Sequence, residues 1–152
     1  MSEADQLLAR ATAKAMRGLA SDVESLIESA YACAHYDITP RVEEIRSIAH
    51  PKAYEHSLEQ ALRLAHVQPL AALDHLDVAR RSAHFVSDRS REHEVWTGAY
   101  AARMRGLLYE AERVVREDPG RATAYLDEVR RLEGEAGFAA DDFERVAHLM
   151  PD

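Results

Sequence analysis

Ala99-Tyr100-Ala101-Ala102-Arg103-Met104-Arg105-Gly106-Leu107-Leu108-Tyr109-Glu110-Ala111-Glu112-Arg113-Val114-Val115 returns to an apolar side chain every three or four residues. Tyr100, Met104, Leu107, Ala111 and Val114 form the stripe, and Ala99, Leu108 and Val115 widen it. That period places one side of a helix against a core. The same pattern extends through most of the chain, and no strand-length alternation competes with it. Neither Asn-Gly nor Asp-Gly, the common hairpin turns, occurs. The expected fold is all-α, a bundle of about five to seven amphipathic helices with no β-sheet.

Downstream, Asp118-Pro119-Gly120 ends this helix, and a second stripe follows on Ala122, Tyr125, Leu126, Val129 and Leu132. Gly134 and Gly137 close it, and a last short helix from about residue 140 to 149 carries Phe143, Val146 and Ala147. The segment Leu107 to Leu132 looks like a helix–turn–helix unit of tetratricopeptide type. The resemblance covers about a sixth of the chain and implies a helical pair, with no activity attached. The segment Leu73 to Gly98, about one repeat length upstream, does not reproduce it.

Upstream, Ser87-Asp88-Arg89-Ser90 makes a polar turn, and Ser90 is placed to cap a helix from about residue 91 to 117. Ser2 with Asp5 marks a helix start. The stripe Leu8, Ala11, Ala15, Leu19, Val23, Leu26, Ala30, Cys33 keeps its phase, which predicts one long helix over 3–36, bent near Gly18. Thr39-Pro40 opens a short helix that should end near His50-Pro51. Another is expected over 52–67, and Pro69 separates it from a helix on Ala72, Leu76, Ala79, Ala83 and Val86.

The chain has 152 residues, which suits a single helical domain over 1–152. Its hydrophobic content of 47% and charged content of 30% suit a globular protein rather than a disordered one. No apolar run approaches the ~20 residues of a membrane span, and the acidic start Met1-Ser2-Glu3-Ala4-Asp5 is unlike a signal peptide. A cytoplasmic location is expected. Cys33 is the only cysteine, so no internal disulfide can form. Net charge is −8, and residues 119–152 carry eight acids against four arginines. The one basic-leaning stretch, Arg80, Arg81, Arg89 and Arg91, is interleaved with Asp77 and Asp88. Neither nucleic acid nor a membrane is an expected partner.

Eight histidines are the most chemical feature. His56, His66, His75, His84 and His93 recur every nine or ten residues, so one continuous helix would point successive rings to opposite sides. Glu-x-x-His, His-Glu-x-x-His and His-x-x-x-His are all absent, as is a His-Asp dipeptide, which removes the usual helical metal centres. The remaining metal candidate pairs His84 with Asp88 one turn later, with His56 or Glu59 as a third ligand. Glu28 to Cys33 and His35 resembles in outline the carboxymuconolactone-decarboxylase-like peroxidase motif, but the second cysteine is missing. No phosphate loop, dinucleotide fingerprint or Gly-x-Ser-x-Gly elbow is present.

Trp96, Tyr100 and Arg103 follow one another at one-turn spacing, and these residue types dominate binding hot spots. They form the expected partner surface. The sequence thus reads as a non-enzymatic interaction or regulatory module. It would present a helical face to a protein partner or to a second copy of itself as a homodimer, with no cofactor. The alternative is a helical enzyme that binds a metal or small molecule through its histidines and carboxylates.

Overall fold

A computed structural model describes residues 1–151. It is 77% helical, an all-α bundle, with seven α-helices and no strand among the described residues. The helices are α1 (Glu3–Met16), α2 (Ala20–Cys33), α3 (Thr39–Leu64), α4 (Pro69–Arg80), α5 (Arg91–Val114), α6 (Pro119–Ala136) and α7 (Phe143–Ala147), with a 3₁₀ turn at Ala83–Phe85. No helix among the described residues is long and apolar enough to cross a membrane.

The chain separates into two compact units. The first comprises residues 1–60 and 74–91, the second residues 61–73 and 92–152. In the first, Leu8, Ala11 and Ala15 of α1 meet Val23, Ile27 and Ala30 of α2, together with Ile38, Val42, Ile45 and Ala49. In the second, Tyr100, Met104, Leu108, Ala111 and Val114 of α5 pack with Ala122, Leu126, Val129 and Leu132 of α6 and with Phe143 and Val146 of α7. These are the residues of the periodic stripes, and each large side chain removed from water contributes about 1.5–3 kcal/mol before entropy is counted.

Three expected boundaries are corrected. Residues 3–36 are two helices. The backbone at Gly18 turns to φ +73°, Leu19 N–H donates to Lys14 O at 3.1 Å, and Gly18 N–H donates to Ala15 O at 2.9 Å. That is a Schellman ending, which glycine enters without strain. Pro51, in contrast, does not end a helix. α3 continues through it because Ile45 and Ala49 before the proline and Tyr54 and Leu58 after it are all buried. Their packing offsets the lost ladder bond. Beyond Arg80 the expected helix stops, and Ala83–Phe85 form the 3₁₀ turn instead.

Other signals held. Ser2 and Asp5 exchange both bonds of a capping box, with Asp5 doing what glutamate usually does. α5 ends at Val114, ahead of Asp118-Pro119-Gly120, and Asp118 in addition accepts the Arg121 N–H to cap α6, with Pro119 at its first turn. α6 runs past Gly134 and ends at Gly137, where φ is +88°.

Candidate functional site

In the first unit a cleft of about 490 Å³ is walled by Gly18, Leu19 and the start of α2, by α3, and by the end of α4 with the segment that follows it. Three polar side chains on its wall come from separate elements. His50 stands on α3 beside the buried Ala49 and is itself only 8% exposed. Glu24 lies on α2 next to the buried Val23, at the edge of that helix's apolar face. Ser82 follows α4, where its N–H closes a turn onto Ala79 O, and it is 4% exposed.

These three form a linear relay. His50 Nε2 lies 3.0 Å from Glu24 Oε2, and His50 Nδ1 lies 2.7 Å from Ser82 Oγ. Arg46, one turn before His50 on α3, grips the same carboxylate. Its Nη2 donates to Glu24 Oε1 at 2.7 Å and its Nε to Oε2 at 3.0 Å. The guanidinium chiefly, with the histidine, holds the Glu24 carboxyl below its ordinary range against the opposing effect of burial. An ionised carboxylate only accepts, so in the neutral ring Nε2 carries the proton. The Nδ1 lone pair then faces the Ser82 hydroxyl, which donates to it. Phe85 lies flat on the imidazole, with centroids 4.3 Å apart and planes 8° from parallel, and so fixes the ring's orientation. Arg81, His56 and Ser57 also line the cleft.

The expected metal ligands are not gathered. His84 is exposed with its ring tilted against Phe85, and Asp88 is taken up by the N–H and hydroxyl of Ser90, which lower its carboxyl. His56 and Glu59 are both exposed on α3. No group of three or more His, Cys, Asp or Glu among the described residues is arranged to hold a metal ion. Cys33 is half-buried, with its thiol directed at Ala30 O.

Trp96, Tyr100 and Arg103 do come together in the second unit. The Trp96 and Tyr100 rings are 4.6 Å apart, and the Arg103 guanidinium lies 5.4 Å from the Tyr100 centroid. They face inward, however. Tyr100 is 2% exposed and its hydroxyl donates to Glu135, so burial first and that carboxylate second push the phenol up. Trp96 is half-buried and donates its Nε1–H to Ala136 O at 3.0 Å. Arg103 is half-buried as well. It lines an apolar groove of about 610 Å³ with Leu70, Ala71, Ala102, Gly106 and Leu107.

Sequence reasoning missed His50, Glu24 and Ser82. His50-Pro51 reads as punctuation, and the three residues are 26 and 32 positions apart. The available signal was Arg46 and His50, one turn apart on the flank of the buried Val42–Ile45–Ala49 stripe.

No protein-family model matches the chain, and neither a curated protein nor a solved structure matches it.

Proposed function

We propose that the cleft of the first unit is the protein's working site and that it takes a small polar ligand. The observation that carries this reading is the Ser82–His50–Glu24 relay set in the wall of that cleft. The volume suits a small molecule, and convergent polar groups on a partly apolar wall are what such sites use to orient one. Gly18, Ala20 and Ala53 line the same cleft as the relay. The test is an amide-resolved NMR titration with a fragment set of small carboxylic acids, esters and amides. Shifts concentrated on residues 18–22, His50 and Ser82 are expected. Shifts confined to the second unit, or none at millimolar fragment, would defeat the reading.

A second reading keeps the interaction module, and the Arg103 groove favours it. Leu70 is 61% exposed at the groove, and a Cβ at Gly106 would meet nothing within 4 Å. The groove joins this apolar knob and hollow to both charge signs, Arg103 with Glu110 and Glu128, and the occupant we propose is a second copy of this chain related by a twofold axis. Native mass spectrometry should then give a dimer that Leu70→Asp converts to monomer. A wild-type monomer at micromolar concentration would remove this reading.

A further inference from the structure

We propose that Ser82 is a nucleophile, with His50 its general base and Glu24 a positioning residue, and that the cleft hydrolyses small carboxylic esters. This rests on the cleft being the ligand site. A serine hydroxyl is a weak nucleophile until a base sits within hydrogen-bond reach and a third group fixes that base's orientation and tautomer. Both conditions are met. Ser82 Oγ is 2.7 Å from Nδ1, Glu24 holds Nε2 at 3.0 Å, and Phe85 stacks on the ring so that it cannot swing away. The bidentate Arg46 grip keeps the carboxylate in place, and it does so from α3, the helix that carries His50.

In the first half-reaction Ser82 Oγ bonds to the ester carbonyl carbon as its proton passes to His50 Nδ1. The carbonyl π pair moves onto oxygen. Arg81, exposed on the same cleft, is the cation available to that oxyanion. Collapse breaks the carbon–alkoxy bond, and the alcohol leaves with the proton from His50. In the second half-reaction water gives a proton to His50, adds to the acyl-serine, and releases the carboxylic acid, restoring the Ser82 hydroxyl. The ligand is a small ester because a cleft of about 490 Å³ suits a small molecule.

The test uses the full chain and a fluorophosphonate, which marks a serine by forming a P–O bond and expelling fluoride. Peptide mass spectrometry reads the site. One adduct per chain on Ser82 is expected, and none on the urea-unfolded protein, because activation depends on the fold. Ser82→Ala should carry no adduct at that position, and His50→Gln should label about 100-fold more slowly. Glu24→Gln should lower the maximal labelling rate and leave the half-saturating probe concentration unchanged, which a merely loosened fold would not do. Circular dichroism confirms that each variant is folded, and the wild-type result is read first. Absence of an adduct on Ser82, or equal labelling in urea, overturns the proposal. Fragment shifts in the cleft without labelling would end the hydrolase inference alone. Absence of both would end the cleft reading as well.

Discussion

Gly18 holds a left-handed backbone, and a Cβ there would lie 3.2 Å from the Lys52 Cβ. Gly18→Ala should therefore cost about 1–3 kcal/mol by urea denaturation. Gly134 lies inside α6 with open space around it, so Gly134→Ala should instead add about 0.5–1 kcal/mol. Opposite signs from the same chemical change are the check. Glu24 gives a pH prediction. Its folded carboxyl is held below the ordinary range, chiefly by Arg46. As pH falls through that window the unfolded chain takes up a proton that the folded chain refuses, so the contribution is complete above the ordinary range and lost below the folded value. Urea midpoints measured from about pH 5 down to about pH 3 should fall more steeply for wild type than for Glu24→Gln. Parallel slopes would count against it. At this scale the sequence was legible where a residue's meaning is local. The Ser2–Asp5 cap is short-range chemistry and could be read directly, and Asp118-Pro119-Gly120 could be read as the stop before a second helix, though its cap onto that helix went unread. The relay could not, because Glu24, His50 and Ser82 meet only once helices have packed.

Pro51 interrupts the ladder of α3 without ending the helix. Replacing it with alanine restores an N–H donor, so Pro51→Ala should raise stability by about 1–3 kcal/mol in thermal or urea unfolding. A loss would mean that the packing of Tyr54 and Leu58 needs the geometry that proline imposes. The element scale also shows why residues 3–36 misled. An apolar stripe that keeps phase reports only which side faces the core. Two helices packed against one core, as α1 and α2 are, both keep that side. Continuity is decided by the backbone, and Gly18 in its left-handed turn carried the decisive information. Pro51 misled in the other direction, since local punctuation lost to burial on either side of it. The long stripe of α5 and the stop of α6 at Gly137 were legible because burial and punctuation there agreed, whereas Gly134 lies inside the helix.

Each unit has its own core, so a core truncation should be felt mainly where it is made. Leu8→Ala and Leu132→Ala remove fully buried side chains from the first and second core respectively, and each should cost about 2–5 kcal/mol. Hydrogen exchange should quicken in α1 and α2 for the former and in α5 and α6 for the latter. Equal acceleration in both units would show one cooperative body. All-α character was legible from period alone, whereas the division into units was not, because it depends on which stripes face which core. That division has a consequence for how the protein is made. The first unit is complete once residue 91 has been added, whereas residues 61–73 belong to a core whose remaining parts all lie from residue 92 onward. On the ribosome the relay and its cleft can assemble while the second core is still unwritten, and an apolar segment holding Ala61, Ala65, Ala72 and Leu73 must wait in the nascent chain for its partners.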